Sequence, residues 1–419
     1  MIFRGSAIRI LRIGKQKVAL SSQALDDKSV YVCGYARTPI GKIGGVLSSQ
    51  TAPQLGAHVI KSALARSGID KNFVEEAFMG NVVSAGIGQA PARQAVIFAG
   101  LNLDVPCTTV NKVCASGMKA AMLGSLSIMS GYRSVVIAGG MESMSNIPYY
   151  LPGARTGYRL GHNSVMDGII KDGLWDIYNN QHMGNCGELC AKTYNISRSE
   201  QDEYAIQSYM RAQAASDANL FDREITPLII SSAKGTSTTV SKDEELSSVN
   251  ISKVATVRPA FQKDGSITAA NSSKLNDGAA AMVLLSGRQV KELGATALFR
   301  IRGFGDAARD PTEFTIAPAD AISKALKHAG LQLQDVEYHE INEAFAVVAI
   351  ANMKLLNLDV NKVNVFGGAV ALGHPIGFSG ARLLGTLYNV LKEKNATIGC
   401  ASICNGGGGA SAVIIERVN

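Results

Sequence analysis

Two stretches of the chain share one pattern of apolar and polar positions. The first reads "VCASGMKAAMLGSLSIMSGYRSVVIAGG" and the second reads "IGFSGARLLGTLYNVLKEKNATIGCAS". Each has a Ser-Gly pair, apolar residues three and four apart, a polar turn and an apolar run, which predicts a helix followed by a buried strand. Ser116 to Ala138 and Ser379 to Ala401 span the same 22 positions. The chain is therefore predicted to be internally duplicated.

Each predicted helix has an apolar stripe that we expect to be buried. In the first helix the stripe is Met118, Ala121, Met122, Leu126 and Met129. In the second helix it is Leu383, Leu384, Leu387 and Val390 or Leu391. Burial of both stripes would place the two helices inside the molecule.

Strand and helix patterns alternate in both copies, which predicts an α/β fold with mixed sheets. The halves are expected at 28–296 and 297–419, after a leader at 1–27. Residues at about 147–270 are rich in Gly, Asn, Asp and Ser, and the segment is too long for a simple connection. We expect this segment to be an inserted loop subdomain that covers a substrate.

Composition excludes several classes of protein. Hydrophobic residues make up 46% of the chain and charged residues 18%, which is typical of a globular protein. The longest apolar runs are less than half the roughly 18 residues of a membrane-spanning helix, so no membrane span is expected. The net charge of +7 comes mostly from five basic residues near the N-terminus, and the other residues are 36 basic and 34 acidic. This balance leaves no basic patch for nucleic acid.

The leader "MIFRGSAIRILRIGKQKVALSSQAL" contains arginine, lysine and serine but no acidic residue. This composition is typical of a mitochondrial presequence, so we expect import into the mitochondrial matrix. The alternative is a cationic N-terminus without a targeting role, which would leave the protein in the cytoplasm.

The seven cysteines are scattered and odd in number, which favours free thiols over a disulfide framework. His182, Cys186 and Cys190 are four apart and could share one helix face as metal ligands. The other interpretation is that the two cysteines are small packing residues.

Cys114 lies just before the first of the two predicted helices. Unpaired N–H groups and the positive end of the helix dipole favour a thiolate at this position. The pattern therefore predicts a nucleophile, although a buried structural cysteine is the alternative.

Other stretches contain residue types suited to the same chemistry. His374 lies between Gly and Pro in "GGAVALGHPIGFSG", on a loop that precedes a helix, where it could act as a base. Cys404 precedes four glycines in "CASICNGGGGAS", and Gly406 belongs to this run, whose N–H groups can approach an anion closely. Asn342 in "HEINEAFA" and His182 in "NQHMGN" complete the set.

Together the stretches "NKVCASG", "NEAFA", "GHPIGFSGAR" and "CNGGGGAS" resemble the thiolase family from about residue 29 to the C-terminus, in the family's order and spacing. The resemblance implies a thiolase fold, a duplicated αβαβα five-layered core whose active-site loops meet between the halves. Its nearest group is the mitochondrial acetoacetyl-CoA thiolases. It also implies a homo-oligomer, either a dimer or a tetramer.

The resemblance implies acetyl-CoA C-acetyltransferase activity, the reversible condensation of two acetyl-CoA molecules. Cys114 would accept the acetyl group, His374 would take the thiol proton, and Cys404 would remove a proton from the second acetyl-CoA. His374 with a water held by Asn342 would form one oxyanion hole, and the N–H groups of Cys114 and Gly406 the other. The alternatives are a broad-range 3-ketoacyl-CoA thiolase of fatty acid oxidation and a thiolase-like acyl or lipid carrier without catalysis.

The resemblance also implies ligand contacts. No cofactor is required for the chemistry, and CoA is substrate and product. The residues implied in CoA binding are Leu174, His182, Met183, Tyr209, Lys253, Phe261, Ser273, Ala344 and Phe345. A potassium site is implied at Tyr209 and at the carbonyl groups of Ala269, Ala270, Ser272 and Val370.

Overall fold

The computed structural model describes residues 26–231, 235–248 and 250–418. The basic residues of the predicted leader lie outside the described residues, so the leader prediction is not addressed by the structure.

The strands are numbered in chain order. They are β1 Val30–Arg37, β2 Gly41–Lys42, β3 Glu76–Gly80, β4 Cys107–Val110, β5 Val135–Ser143, β6 Tyr149–Tyr150, β7 Met166–Asp167, β8 Trp175–Asp176, β9 Gln181–His182, β10 Leu228–Ser231, β11 Ser237–Val240, β12 Asn276–Ser286, β13 Phe299–Ala308, β14 Tyr338–Ile341, β15 Ile398–Asn405 and β16 Gly409–Arg417.

The α-helices are numbered in the same way. They are α1 Ala52–Ser67, α2 Pro91–Phe98, α3 Ser116–Met129, α4 Met183–Thr193, α5 Arg198–Asp217, α6 Gly287–Leu293, α7 Ala317–Ala329, α8 Ala346–Leu356, α9 Ala369–Leu372 and α10 Ser379–Glu393. A π-helical turn covers Ile169–Leu174, and short 3₁₀ turns include Glu244–Ser247, Ile251–Thr256 and Pro311–Ile316.

Four strands of the main sheet have the same order in both halves of the chain, and the N-terminal half has β4 as an additional strand beside β3. The N-terminal order is β4-β3-β5-β12-β1, and the C-terminal order is β14-β15-β16-β13. In the N-terminal half, β3 pairs in parallel with β4 and β5, and in the C-terminal half β14 pairs in parallel with β15. The other strand pairs within each half are antiparallel. The halves join where β1 pairs with β13, with Val30 opposite Ile301. The sheet therefore confirms the duplication that the sequence predicts.

The helices form layers on both sides of the two half-sheets. Helices α3 and α10 pack between the half-sheets in one apolar core. Helices α1 and α2 cover the outer face of the N-terminal half, and α7 covers the outer face of the C-terminal half. This gives the predicted α/β class with a five-layered αβαβα core.

The two central helices bury different lengths of their predicted stripes. In α10 all of the predicted positions are buried, and in α3 Met118, Ala121 and Met122 are buried as well. Leu126 and Met129 are 45% and 39% exposed, so the expectation of burial is wrong for the last turn of α3. The reason is that the buried face of this turn is formed by Ser125 and Ile128, so Leu126 and Met129 lie on the other side of the helix.

The segment between β5 and β12 holds helices α4 and α5 and several two-stranded pairs. Helix α4 contacts α8 and the turn Pro311–Ile316, and α5 contacts α8 and α9. The inserted segment therefore packs on the C-terminal half, next to the loops that carry the predicted site. Within the described ranges, no helix combines the length and apolar character needed to cross a bilayer.

Candidate active site

Cys114 lies in the turn between β4 and α3. Val113, directly before it, has a φ of 47°, which is uncommon for a β-branched residue. The Ser116 hydroxyl accepts a hydrogen bond from the Lys112 N–H at 2.9 Å and donates one to the Val113 carbonyl at 2.6 Å. Hydrogen bonds of Ser116, the first residue of α3, therefore stabilise the strained turn. The turn in turn fixes the direction of the Cys114 side chain.

The thiol of Cys114 does not have the lowered pKa that its position before a helix predicts. Burial raises its pKa to about 11, while the backbone N–H groups of Gly406 and of Cys114 itself act in the opposite direction. Loss of water around the sulfur outweighs the N–H groups, because desolvation disfavours the charged form. Cys114 is therefore a thiol at rest, and it would need a base to act as a nucleophile.

His374 is the residue predicted to act as this base. It lies between α9 and α10, where its backbone N–H donates to Asn276 Oδ1 at 3.0 Å. Its Nδ1 lies 2.6 Å from Ser379 Oγ, and the Ser379 hydroxyl donates to the Pro375 carbonyl at 2.8 Å. Because that hydroxyl has one proton, Nδ1 must be the donor and Nε2 is the free acceptor. Burial lowers the pKa of His374 to about 3, so the ring is neutral.

Asn342 faces the free nitrogen of His374. It follows β14, and its backbone N–H donates to the Ser402 carbonyl at 2.9 Å. Its Nδ2 lies 3.5 Å from His374 Nε2. Its Oδ1 is buried and has no hydrogen-bond partner within the described part of the chain. The amide thus offers an acceptor beside the base, as the predicted pairing of Asn342 with His374 and a water requires.

Cys404 and Gly406 lie where β15 ends and the turn to β16 begins. The Cys404 side chain is buried, and burial together with the nearby Cys114 raises its pKa. Gly407 and Gly408 have φ values of 82° and 83°, which a residue with a side chain rarely adopts. The glycine turn therefore brings the Gly406 N–H to the Cys114 sulfur.

Close backbone packing brings the nucleophile and the base together. A Cβ on Gly117 would lie 2.9 Å from the Gly377 carbonyl oxygen and 2.9 Å from the Ala381 nitrogen. A Cβ on Gly80 would also meet the Gly377 oxygen at 2.9 Å. The beginning of α3 and the loop before α10 can approach this closely only because these positions are glycine.

A buried carboxyl group, which the sequence analysis missed, links the same loops. Glu142 is a buried residue near the end of β5. Its carboxylate accepts hydrogen bonds from the N–H groups of Val82 and Gly377, both at 2.9 Å. The Asn81 amide donates to it at 2.9 Å. Burial raises the pKa of Glu142 to about 7. The only signal in the sequence is an acidic residue that directly follows the apolar run "SVVIAGGM".

Several predicted CoA-binding residues form one wall. The rings of His182 and Phe261 are stacked with centroids 4.7 Å apart, and Phe261 meets Phe345 edge to face at 6.0 Å. The Ser273 N–H donates to the Ala344 carbonyl at 3.0 Å. This wall therefore joins the inserted segment to the C-terminal half.

A cleft of about 490 Å³ approaches the nucleophile from the inserted segment. Its lining includes Val113, Met183, Gly406 and Trp175. Leu174 packs on the apolar cluster that contains Ile376 and touches Cys114. Met183 lies in the cluster of Cys404 and Phe345. Lys253 is exposed on its 3₁₀ turn and takes no part in these clusters.

His182 and the two nearby cysteines do not form a metal site. His182 precedes α4, and its Nδ1 accepts the Gly184 N–H at 3.0 Å. Cys186 and Cys190 are buried in an apolar cluster. Across the described ranges, no three His, Cys, Asp or Glu side chains are grouped to hold a metal ion. The cysteines are packing residues, as the second interpretation holds.

The residues predicted for potassium come together with one exception. Tyr209, Ser272 and Val370 surround the ammonium group of Lys274, and the Tyr209 hydroxyl donates to the Ala270 carbonyl at 2.8 Å. Ala269 is exposed. Lys274 follows Ser273 in the stretch "AANSSKLNDGAA", but a single lysine in a loop gives no signal of its burial.

Two protein-family models match the chain. "Thiolase, N-terminal domain" matches residues 30–288, and "Thiolase, C-terminal domain" matches residues 295–417. The chain is 54% identical over 390 residues to a cytosolic acetyl-CoA acetyltransferase of Gibberella zeae, covering 93% of this chain and 98% of that protein. It is 52% identical over 399 residues to the mitochondrial acetyl-CoA acetyltransferase of Rattus norvegicus, covering 95% and 93%.

One solved structure has the same fold. It is the Acat5 thiolase from Ascaris suum in complex with coenzyme A, with a TM-score of 0.88 and 43% identity. The similarity covers 93% of this chain and 100% of that one. The duplicated fold described above is therefore the fold of that thiolase.

Proposed function

Since this chain belongs to the thiolase family, we propose that it is an acetyl-CoA C-acetyltransferase, which reversibly condenses two acetyl-CoA molecules into acetoacetyl-CoA and CoA. The observation that supports this most directly is the grouping of Cys114 with His374, Asn342, Cys404 and the Gly406 N–H. These residues come from both halves of the chain, and each has the chemistry that one step of the reaction needs.

The first half-reaction transfers an acetyl group to Cys114. Nε2 of His374 takes the thiol proton, and the sulfur attacks the carbonyl carbon of acetyl-CoA. The bond from that carbon to the CoA sulfur breaks, and the CoA thiolate takes the Cys404 thiol proton as it leaves, while His374 keeps the Cys114 proton. Proton transfer is coupled to attack because the thiol pKa of about 11 leaves little thiolate at rest.

The second half-reaction forms the carbon–carbon bond. The Cys404 thiolate left by the first half-reaction takes a proton from the methyl group of a second acetyl-CoA, and the carbanion attacks the Cys114 thioester. Acetoacetyl-CoA leaves as the Cys114 sulfur–carbon bond breaks, and the Cys114 thiolate recovers its proton from His374 Nε2. Burial raises the pKa of Cys404, and a thiolate with a raised pKa is a stronger base for a weakly acidic C–H bond.

Negative charge forms on a thioester oxygen in both steps. We assign one oxyanion hole to the N–H groups of Cys114 and Gly406, which already point at the Cys114 sulfur. The other comprises a water bound to Asn342 and His374 Nε2, which donates while it carries the proton taken from Cys114. Donors fixed by the backbone stabilise this charge without reorganisation.

CoA is proposed to bind along the wall of His182, Phe261, Phe345 and Ala344, with Ser273 beside it. Leu174 and Met183 line the approach to Cys114. Tyr209 contributes through the loop that carries Ser273. Lys253 is exposed, as a residue that meets the nucleotide phosphates from solvent must be.

Acetylation of Cys114 tests the mechanism directly. After incubation with acetyl-CoA, peptide mass spectrometry should find one acetyl group on Cys114. Cys114→Ser should lose both labelling and turnover, and Cys404→Ser should still be labelled but fail to condense. Acetylation at Cys404 or Cys400 would overturn the assignment.

Chain-length preference separates the proposal from a broad-range 3-ketoacyl-CoA thiolase. We expect a higher kcat/KM for acetoacetyl-CoA than for a long-chain 3-ketoacyl-CoA. A preference for the long chain would establish the broad-range alternative. A carrier without catalysis would turn over neither compound.

The domain boundaries are proposed at 28–296 and 297–419, with the inserted subdomain at about 147–270 and a presequence at 1–27. The relatives include a cytosolic and a mitochondrial protein. We place this chain in the mitochondrial matrix because its residues 1–25 are basic and include no acidic residue. A reporter carrying residues 1–30 should be imported, and a cytosolic signal would contradict this.

We also propose a homo-oligomer, a dimer or a tetramer. Strand β4 has β3 as its strand neighbour and lies at the end of the described sheet order. Phe98 and Leu103, near this edge, are 50% and 71% exposed. An edge strand beside apolar surface is suited to pairing with a second copy. Light scattering at assay concentration should show at least twice the monomer mass.

A further inference from the structure

The side chain of Lys274 extends from the segment before β12 into a ring of oxygen atoms. Its Nζ lies 2.8 Å from the Ser272 carbonyl oxygen, 3.0 Å from Tyr209 Oη and 3.4 Å from the Val370 carbonyl oxygen. It also lies 5.6 Å from the centroid of the Tyr209 ring. The three oxygens belong to the inserted segment, the serine loop and α9, so the ammonium group links separate elements.

The donors and acceptors in this ring match in number. The Tyr209 hydroxyl donates its one proton to the Ala270 carbonyl at 2.8 Å, so its oxygen must accept from Lys274. An ammonium group has three N–H donors and no acceptor, and it meets three acceptors here. The site is therefore built for a charged nitrogen.

Two buried carboxyl groups compensate for the charge. Glu343 is fully buried and accepts the Val370 N–H at 3.0 Å, and Glu245 accepts the Asn276 amide at 2.9 Å. Burial lowers the pKa of Lys274 to about 8, while Glu245 and Glu343 act in the opposite direction. Both carboxyl groups thus favour the charged form of the amine that the three oxygen acceptors surround.

These contacts do not fit the potassium ion that the family resemblance implies. The oxygens of Tyr209, Ser272 and Val370 are those predicted as its ligands, and all three face the Lys274 ammonium. A potassium ion bound to them would lie within a few ångströms of a second positive charge in a partly buried site, where repulsion is strong. The ammonium group and a metal ion therefore exclude each other.

We propose that Lys274 is a tethered cation that replaces a monovalent metal ion and holds the serine loop against the His374 loop. Its backbone supports the same link, because the Lys274 carbonyl accepts the His374 N–H at 3.3 Å. Ser273, next to it, bonds the Ala344 carbonyl of the CoA wall at 3.0 Å. Lys274 is thus a positioning residue for CoA binding, an inference that rests on the proposed function, and it makes the enzyme independent of potassium.

Two variants separate the charge of Lys274 from its volume. Lys274→Ser opens the ring of oxygens, whereas Lys274→Met fills it without charge. In sodium buffer, both should raise the KM for acetyl-CoA about tenfold, the effect of losing hydrogen bonds to a charged group. Potassium at equal ionic strength should restore the KM of Lys274→Ser but not of Lys274→Met. The unmodified protein should have the same KM in both salts.

Thermal unfolding provides a readout that does not require activity. We expect potassium, compared with sodium, to raise the unfolding temperature of Lys274→Ser and to leave the other two proteins unchanged, because an ion that binds only the folded state stabilises it. If the unmodified protein failed to acetylate Cys114, the proposed function would fall, and this salt dependence would still test the cation site.

Three results would overturn the inference. The first is activation of the unmodified protein more than about twofold by potassium over sodium, which would mean that a metal ion binds beside Lys274 or displaces it. The second is a Lys274→Ser variant with an unchanged KM in sodium. The third is a Lys274→Ser variant whose KM and unfolding temperature are both the same in the two salts.

Discussion

His374 and Ser379 form a 2.6 Å hydrogen bond that decides which nitrogen of the histidine can act as a base. The Ser379 hydroxyl is committed to the Pro375 carbonyl, so it accepts the Nδ1 proton and leaves Nε2 free. Ser379 is also the first residue of α10. The helix that packs the core thus also sets the tautomer of the base.

We expect Ser379→Ala to lower kcat about tenfold, a loss of ~1.4 kcal/mol of transition-state stabilisation, with little change in KM. Without the hydroxyl, the ring can carry its proton on Nε2 and no longer accept one from Cys114. Ser125→Ala is the matched control, since Ser125 also bonds the carbonyl four residues earlier in a buried helix. Equal kcat values for the two variants would contradict a role in tautomer selection.

The acid side of the pH profile should lack a histidine step. Because burial lowers the pKa of His374 to about 3, its ring stays neutral as the pH falls through the ordinary value of 6.5. The single-turnover rate of Cys114 acetylation should therefore not decline with a midpoint near 6.5.

Glu142 is the group in this site whose pKa, about 7, lies in the same range. Its protonation would change the hydrogen bonds to Val82 and Gly377, so a step near pH 7 should disappear in Glu142→Gln. A step near 6.5 that persists in Glu142→Gln would contradict the neutral histidine.

Gly117→Ala should separate the nucleophile from the base. The added Cβ would lie 2.9 Å from backbone atoms of Gly377 and Ala381, which cannot rotate away. We expect the free energy of unfolding to fall by about 1–3 kcal/mol. We also expect kcat to fall by more than the loss of folded protein explains, because the reacting groups are moved apart. Gly124→Ala on the same helix is the control, because its nearest neighbour is a Val136 side-chain atom at 3.1 Å. Similar kcat losses in both variants would point to helix stability alone.

The alkaline side of the pH profile should reflect Lys274. Its pKa of about 8 means that the ammonium charge is present below pH 8 and is lost as the pH rises. The KM for acetyl-CoA should therefore increase above pH 8. Acetyl-CoA is the substrate of choice because it has no free thiol to titrate. Lys274→Met should show a KM that is high and constant with pH, and a rise like that of the unmodified protein would contradict the assignment.

Folding stability should change in the same range. The unfolded chain binds the Lys274 proton more tightly than the folded one, because the folded pKa is lowered from 10.5. The contribution of this residue to the free energy of unfolding therefore increases as the pH rises from about 8 to 10.5. Urea unfolding of the unmodified protein and of Lys274→Met measures the difference.

Local sequence patterns determined the elements and their duplication. The apolar stripe of α10 and the first turns of α3 are buried as predicted, because helical spacing alone places those residues on one face. The motifs around Cys114, His374 and Cys404 were visible because glycine, proline and small residues mark turns where backbone geometry is unusual. Exposure of Leu126 and Met129 was not visible, since apolar residues at 126, 128 and 129 fit two adjacent helix faces and only packing shows that Ile128 is the buried one.

Tertiary structure alone decided the charges and protons of the site. The helix position of Cys114 predicts a lowered pKa, but burial by loops distant in sequence raises it to about 11. Glu142 and Lys274 acquire their roles from partners in other segments, and no spacing within the chain encodes these pairings. Electrostatics depends on distance in space and on the exclusion of water, both of which are set only when the two halves pack together.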